Sequence, residues 1–242
     1  MLRDRIVELR QYTLHPGKRD VLIDLFDREF VEAQEQTGMS VIGQFRDLDD
    51  PNRFVWLRGF DDMPSRAQAL GKFYDGAIWK SHRDSANATI IDNDNVLLIR
   101  PASAQSGFAL EGRKRAANAA TGSGGGVVIA TTYHIDAQKE AEFIDFFERT
   151  VQPSLAQAGS PVLASFVTET SANTFPRLPV REGEHVFVWF SSFPTADAYT
   201  GFKARLADSP CWRDSIAAEL SARVREPFVL RLSPTARSLV HG

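Results

Sequence analysis

The nine residues from Ile6 to Leu14 read IVELRQYTL, and a related stretch, VVIATTYHI, runs from Val127 to Ile135. Both stretches have the alternation of a β-strand, and each carries a tyrosine as its seventh residue. The same offset along the chain pairs Phe26 with Phe147. An internal repeat of this length indicates two copies of one structural unit.

The four tryptophans of the chain fall into two matched pairs, Trp56 with Trp189 and Trp79 with Trp212. Their offset is larger than that of the first strands, so the second copy contains an insertion. The added residues fall within 168–185, a stretch rich in Thr, Pro, Asn and Gly, as is typical of a loop. We therefore expect an enlarged loop in the second copy.

The repeat divides the chain into three parts. We expect a first unit at residues 1–102, a flexible linker at 103–126 and a second, degenerate unit at 127–236. The linker is poor in large apolar residues and ends in TGSGGG, which is typical of a mobile segment. Its basic run RKR, at Arg113 to Arg115, is interpreted as a solubilising feature rather than a nucleic-acid patch.

The composition is that of an ordinary soluble protein. The chain has 242 residues, of which 43% are hydrophobic and 24% charged, and its formal net charge is −3. This charge favours neither nucleic acid nor an anionic membrane, so neither is expected as a partner. The single cysteine, Cys211, cannot form an intrachain disulfide, and the sequence shows neither a membrane-length apolar run nor the apolar core of a signal peptide. We expect a cytoplasmic location.

The order of apolar patterns in the first unit predicts its fold class. Strands are expected at 6–14, 40–45, 54–60 and 96–100, with helices at about 21–33 and 65–88. This βαββαβ order is the ferredoxin-like α+β arrangement, in which helices cover one face of an antiparallel sheet. We expect the other face to carry Tyr12 and Trp56. It should pack sheet to sheet on the second unit and close a barrel with a lined interior, with a homodimer as the competing arrangement.

Three motifs of the first unit resemble the NIPSNAP family: ELRxYxLxPGK from Glu8, VWxR from Val55 and WxxxR from Trp79. The resemblance covers residues from about 6 to 101, whereas the second unit keeps only the tyrosine and the tryptophans. That family belongs to the dimeric α+β barrel superfamily, so the resemblance implies this fold. The superfamily includes cofactor-independent monooxygenases, haem enzymes and isomerases, and the resemblance leaves the function open.

The first unit presents charged and aromatic groups on two neighbouring strands: Glu8, Arg10, Tyr12, Trp56 and Arg58. The second unit is neutral at the three charged positions, with Ile129, Thr131 and Ser191. Such a pocket would suit an aromatic molecule with an acidic oxygen, since arginine clamps an oxyanion with paired donors. We assign Arg10 and Tyr12 to catalysis, as oxyanion stabiliser and proton donor. The candidate substrate-binding residues are Glu8, Trp56, Arg58, Trp79, Tyr133 and Trp189.

A histidine is the third candidate catalytic group. His82 lies about one helical turn from Trp79, at the rim of the expected pocket, and imidazole is a natural base near neutral pH. The histidines lack the spacing of metal ligands, so neither a metal nor an organic cofactor is expected. A haem-binding alternative would use His82 or His134 as the axial ligand.

Two function classes remain open. The first is a cofactor-independent oxygenase or isomerase of biosynthetic metabolism, acting on a small aromatic or enolisable molecule in the barrel pocket. The second is a non-catalytic binding or protein-interaction protein, with the loop 168–185 facing the partner. A structural alternative applies to the site itself, in which Glu8, Arg10 and Arg58 form a buried ion network and the tryptophans belong to the core.

Overall fold

The computed structural model describes residues 4–242, and the first unit contributes four strands to its sheet. These strands are β1 (Ile6–Leu14), β2 (Ser40–Asp47), β3 (Arg53–Phe60) and β4 (Ile90–Pro101). Between β1 and β2 lie α1 (Arg19–Leu25), a π-helical turn (Phe26–Phe30) and α2 (Val31–Glu35). Between β3 and β4 lie α3 (Met63–Tyr74) and α4 (Ala77–Asn87). The order strand, helix, strand, strand, helix, strand follows the sequence pattern.

The second unit repeats this order. Its strands are β5 (Val127–His134), β6 (Val162–Thr168), β7 (Val186–Phe193) and β8 (Phe228–Pro234). Its first helical region comprises a 3-10 turn (Ala137–Lys139), α5 (Glu140–Phe146), a π-helical turn (Phe147–Val151) and α6 (Gln152–Gln157). Its second comprises α7 (Ala196–Asp208), a π-helical turn (Trp212–Ile216) and α8 (Ala217–Arg223). Phe26 and Phe147, paired by the repeat, begin equivalent π-helical turns, a local geometry that is often found at functional sites.

The eight strands close into one antiparallel barrel in the order β1-β3-β2-β8-β5-β7-β6-β4. Each unit supplies four neighbouring strands. The junctions between units are short: Phe45, Arg46 and Asp47 of β2 pair with β8, and residues 99–101 of β4 pair with β6. The two units thus pair within one chain, and each of the eight strands has a neighbour on both sides.

The barrel interior is apolar and packed. The strands turn alternate side chains inwards, as the two-residue period requires, and β1 supplies Val7 and Leu9. Other members of this interior cluster are Ile42, Phe45, Val55, Leu57, Leu97, Ile99, Val128, Ala130, Phe166, Val188, Phe190, Leu230 and Leu232. The interior is therefore a hydrophobic core.

The expectation that Tyr12 and Trp56 face the barrel interior is wrong. Both belong to a cluster that includes Phe26 and Phe30 of the first helical region, so they lie between the sheet and the helices. The expectation of a pocket inside the barrel is wrong as well, because apolar side chains fill the interior. Alternation tells which side chains share a strand face, but β1 is buried on both faces, and its pattern does not tell which face meets the helices.

The segment 103–126 connects the units in irregular conformation but packs against the barrel. Phe108 contacts the interior side chains Phe166 and Phe190, at ring centroid distances of 5.4 and 5.0 Å. Arg115, of the basic run, donates a 2.6 Å hydrogen bond to the carbonyl of Val41. This segment therefore covers part of the barrel core as well as linking the units.

Two other features bear on the expectations from sequence. Val240, near the end of the chain, is buried against the barrel core, so ordered packing continues beyond residue 236. Among residues 4–242, the helices are too short or too polar to cross a bilayer.

Candidate functional site

A buried carboxylate with three arginines lies beneath the helices of the first unit. Glu8 Oε2 accepts hydrogen bonds from Arg10 Nη1 at 2.6 Å and from Arg58 Nε at 2.8 Å. Glu8 Oε1 accepts one from Arg66 Nε at 2.7 Å. All four residues are 0% exposed. We name these four residues the Glu8 cluster.

Neighbouring strands and one helix bring the Glu8 cluster together. Glu8 and Arg10 are two residues apart on β1 and therefore share a face. Arg58 stands opposite Glu8 in the register of β1 and β3. Arg66 comes from α3, whose N-terminus is capped by the Asp62 carboxylate accepting from the Ser65 backbone. The arrangement therefore depends on both sheet register and helix packing.

The Glu8 cluster carries more positive than negative charge. Burial alone would raise the pKa of Glu8, but the guanidinium groups of Arg58, Arg10 and Arg66 outweigh it and hold that pKa well below its usual range. Glu8 is therefore ionised, and arginine stays protonated at any physiological pH. One negative and three positive charges leave a formal excess of two positive charges.

Neutral groups accept the remaining hydrogen bonds that link the Glu8 cluster to its surroundings. Arg10 Nε donates to the Tyr12 hydroxyl at 3.1 Å. Arg58 Nη1 donates to Gln34 Oε1 at 3.2 Å and lies 3.5 Å from the Tyr74 hydroxyl. None of these acceptors offsets the charge excess.

Four buried nitrogen atoms in and around the cluster lack a hydrogen-bond partner. They are Arg58 Nη2, Arg66 Nη2, Gln34 Nε2 and Trp56 Nε1. All four are N–H donors. The amide of Gln34 is oriented with its nitrogen as the unpartnered atom, because its oxygen accepts from Arg58 Nη1. Buried donors without acceptors are rare and costly, so this region is suited to a ligand that supplies acceptor oxygens or negative charge.

A cavity of about 70 Å³ adjoins the cluster, between the sheet and the helices. Half of the residues that line it are aromatic: Tyr12, Phe26, Phe30, Trp56, Phe73, Tyr74 and Trp79. The lining residues that carry polar groups are Gln34, Asn87 and Asn93 together with the two tyrosines and the two tryptophans. Tyr12, Gln34, Trp56 and Tyr74 thus both line the cavity and touch the arginines. The cavity and the Glu8 cluster form one site.

The enlarged loop of the second unit covers this site. Asn173 Oδ1 accepts from Arg66 Nη1 at 2.9 Å, and Thr174 Oγ1 lies 3.3 Å from the same atom. The ring of Phe175 stacks on Tyr74 with centroids 6.0 Å apart, and Leu178 lines the cavity. In the interaction-protein hypothesis this loop faces a partner protein. In the structure these residues contact the first unit instead, because the barrel places the loop beside it.

The structure divides the residues selected from sequence. It brings together Glu8, Arg10, Tyr12, Trp56, Arg58 and Trp79. Tyr133 and Trp189 lie in a separate cluster beneath the helices of the second unit. His82 does not line the cavity; its Nε2 lies 3.6 Å from Glu29 Oε2, and its side chain is partly exposed. The Glu8 cluster is a buried ion network, as in the structural alternative, but two of its guanidinium nitrogens lack partners.

Sequence reasoning missed Arg66, Gln34, Tyr74 and Asn173. Arg66 and Gln34 lie on helices among other polar residues, where nothing local marks an arginine or a glutamine as buried. Asn173 lies in an insertion that has no counterpart in the first unit. The one available signal was the unbalanced charge on β1 and β3, where one glutamate accompanies two arginines.

The second unit contains no equivalent of the Glu8 cluster. The positions matched to Glu8, Arg10 and Arg58 are Ile129, Thr131 and Ser191, all buried. The position of Arg66 is taken by Tyr199, which packs against Phe193 with centroids 5.1 Å apart. The duplication has thus produced one charged and one largely neutral unit.

The histidines of the haem-binding alternative lie apart from the cavity. His134 Nε2 is 3.2 Å from Glu184 Oε2, in the second unit. Within residues 4–242, no group of three or more His, Cys, Asp or Glu side chains is arranged to hold a metal ion. The site is therefore best described by its arginines and aromatic rings.

Solved structures share the fold of the whole chain. A candidate monooxygenase of Fusobacterium nucleatum has a TM-score of 0.61 at 10% identity, over 97% of this chain and 94% of that chain. A candidate monooxygenase of Lactobacillus acidophilus has a TM-score of 0.60 at 12% identity, over 98% and 97%. An anthrone oxidase-like protein has a TM-score of 0.57 at 14% identity, over 98% and 95%. At these identities the likeness shows the fold alone.

A family model matches one part of the chain. The NIPSNAP family model covers residues 7–105, which contain β1 to β4 and the whole Glu8 cluster. No curated protein matches the chain. The first unit of the chain is therefore similar to the NIPSNAP family.

Proposed function

We propose that the first unit binds a small aromatic molecule with an acceptor oxygen, in the cavity beneath its helices, and that the chain acts on this molecule as a cofactor-independent enzyme. In this proposal the chain is a dimeric α+β barrel made of two ferredoxin-like units. One observation carries the proposal: an aromatic cavity borders buried polar atoms that lack partners, and all of these are donors. Aromatic walls with a few convergent polar groups are typical of small-molecule sites.

The chemistry of the site favours an oxyanion. Burial raises the pKa of Tyr12, so its hydroxyl stays protonated at pH 7. The hydroxyl accepts from Arg10, and its own proton is left to donate a hydrogen bond to a ligand in the cavity that Tyr12 lines. Trp56 and Gln34 supply further N–H donors. Arg10 and Arg58 add positive charge behind these groups. Donors aimed at a developing oxyanion stabilise it most strongly where water is excluded.

Two reaction classes place charge on such an oxygen. Isomerisation of an enolisable molecule passes through an enolate, and oxygenation of an electron-rich aromatic begins from a phenolate or enolate. The names of the fold neighbours, monooxygenase and anthrone oxidase-like protein, support the second class. Glu8 is unsuited to act as a base in either reaction, because its lowered pKa and three arginine partners keep it ionised and engaged.

The experiment compares phenol with toluene, which have similar shapes but differ in one oxygen. Binding is measured by ligand-observed NMR on the wild type, on Tyr12→Phe and on Tyr133→Phe, the matched control in the second unit. We expect phenol to bind more tightly than toluene, and Tyr12→Phe to reduce that preference about two- to tenfold, the value of one hydrogen bond. Tyr133→Phe should leave the preference unchanged. Equal binding of both molecules by the wild type, or a preference that Tyr12→Phe leaves unchanged, would refute the proposal.

A non-catalytic binding protein is the second candidate. The observation that favours it is the lining of the cavity, whose residues include no carboxylate and no histidine to accept a proton. The measurement is the fate of a bound enolisable ligand in deuterated water. Deuterium incorporation that depends on Tyr12 supports an enzyme, whereas tight binding without exchange or turnover supports a carrier or sensor.

A further inference from the structure

We propose that the Glu8 cluster binds a small anion, which accepts from the unpartnered Nη2 atoms of Arg58 and Arg66. The ligand class is a compact monoanion, either a halide or a carboxylate. The proposal rests on two observations: the formal excess of two buried positive charges, and the donor character of every unpartnered polar atom around it.

Within residues 4–242, Glu8 is the one carboxylate that accepts from the arginines of the cluster. Both oxygens of Glu8 are already engaged, by three guanidinium groups at 2.6 to 2.8 Å. The other partners of Arg58 and Arg66 are the neutral groups of Gln34, Asn173 and Thr174. A neutral acceptor satisfies a hydrogen bond but leaves the charge, and an uncompensated buried charge is strongly destabilising.

Both arginines meet at Glu8, and each leaves one guanidinium nitrogen without a partner. The Nε atom of each arginine donates to the carboxylate of Glu8, so both guanidinium groups contact the same side chain. Each also lies near the ring of Phe60, with Cζ at 5.7 Å for Arg58 and 6.0 Å for Arg66. In both residues Nη2 is the nitrogen without a partner. Guanidinium groups are the preferred protein donors for carboxylates and other oxyanions.

The anion has two sources that the structure allows. The first is a free ion from solution. The second is the carboxylate of an aromatic ligand whose ring occupies the adjoining cavity, since Trp56 and Gln34 border both regions. This second source rests on the proposed function, whereas the first does not.

The experiment measures the thermal unfolding midpoint of the wild type at rising concentrations of sodium chloride, formate or benzoate. Sodium gluconate, a strongly hydrated polyhydroxy anion that does not suit an aromatic cavity, keeps the ionic strength constant. An anion that binds the folded state alone should raise the midpoint saturably, by about 5–10 °C at a concentration one hundred times its dissociation constant. Benzyl alcohol serves as the uncharged partner of benzoate.

The responses of the unfolding midpoint distinguish a free anion from the carboxylate of a larger ligand. A saturable rise with chloride or formate assigns the site to a free anion. A rise with benzoate, without one from formate or benzyl alcohol, assigns it to a ligand carboxylate. If no anion exceeds gluconate, the proposal is overturned, and uncharged partners such as water satisfy the donors. A rise with phenol and none with any anion would retain the proposed function and refute this inference.

Two variants test whether the anion response arises at the Glu8 cluster. Arg66→Gln removes the guanidinium group of Arg66 and its positive charge. It should abolish the anion response or raise the apparent dissociation constant of the anion at least tenfold. Arg231→Gln is the control, because Arg231 pairs with Asp49 at the surface and its loss removes the same charge elsewhere. If Arg66→Gln fails to fold, the wild-type titration still decides between the outcomes. An equal response in both variants would overturn the assignment to this cluster.

Discussion

Replacing Glu8 by glutamine tests the account of the buried cluster most directly. The substitution keeps the size of the side chain but removes the one negative charge among three buried guanidinium groups. Removing one partner of a buried ion pair costs about 3–5 kcal/mol, because the remaining charge is left uncompensated. For a chain of this size, each kcal/mol lowers the unfolding midpoint by about 2–4 °C. We therefore expect Glu8→Gln to lower the midpoint by roughly 6–20 °C.

The assay is thermal and urea-induced unfolding followed by circular dichroism. Glu142→Gln is the control, since Glu142 pairs with Arg223 at the surface and should show no measurable change. The pKa of Glu8 is lowered in the folded state, so its contribution is complete above the ordinary value of 4.5 and is lost as pH falls below that value. The advantage of the wild type over Glu8→Gln should accordingly shrink progressively as pH falls below about 4.5.

The second unit supplies a stricter test. It occupies the same four positions with Ile129, Thr131, Ser191 and Tyr199 and packs without the charges. The fourfold replacement Glu8→Ile, Arg10→Thr, Arg58→Ser and Arg66→Tyr should therefore cost much less than Glu8→Ile alone, because no unpaired charge remains. The reasoning is refuted if Glu8→Gln costs less than about 1 kcal/mol, or if the fourfold variant is less stable than Glu8→Ile.

Three further predictions concern other parts of the fold. Burial raises the pKa of Asp27 to about 6, so its ionisation opposes folding increasingly as pH rises from 3.8 through 6. Asp27→Asn should therefore raise the free energy of unfolding by on the order of 2 kcal/mol at pH 8 and by little at pH 4. An equal gain at both pH values would contradict this. A side chain at Gly43 would meet the ring of Phe45, with Cβ 2.5 Å from Cζ, so Gly43→Ala should cost about 1–3 kcal/mol in urea unfolding; a neutral result would show that the barrel interior is loosely packed. Asn173→Ala removes an acceptor from Arg66 and should cost about 1.5–3 kcal/mol, whereas Arg177→Ala, an exposed pair in the same loop, should leave stability unchanged; similar effects of both would show that the loop is not held through Arg66.

The order of the elements was available from sequence because it depends on local patterns. The alternation in β1 and the matched tryptophans predict strands and a duplication without knowledge of any distant contact. The pairing of the two units followed from the apolar character expected of the second sheet face. The selection of Glu8, Arg10, Tyr12, Trp56 and Arg58 as one group was also possible, since two strands with a shared face bring them together.

The location of that group was not available from sequence. Both faces of β1 are buried, one in the barrel and one beneath the helices, so neither the alternation nor the size of the side chains distinguishes them. The placement of His82 was similarly open. Whether a residue one turn from Trp79 reaches the rim of the cavity depends on the rotation of α4 about its axis. That rotation is set by the packing of Trp79 and His82 against Phe30.

The sequence alone therefore indicated the repeat, the element order and the grouping of Glu8, Arg10, Tyr12, Trp56 and Arg58 on two neighbouring strands, because each of these depends on periodicity or on spacing along the chain. The folded structure was needed to place Arg66 on Glu8, which is 58 residues away, and Asn173 on Arg66, which is 107 residues away. It also showed that the insertion of one unit covers the site of the other. Such contacts join segments that have no local relation, and they form only when the eight strands close the barrel.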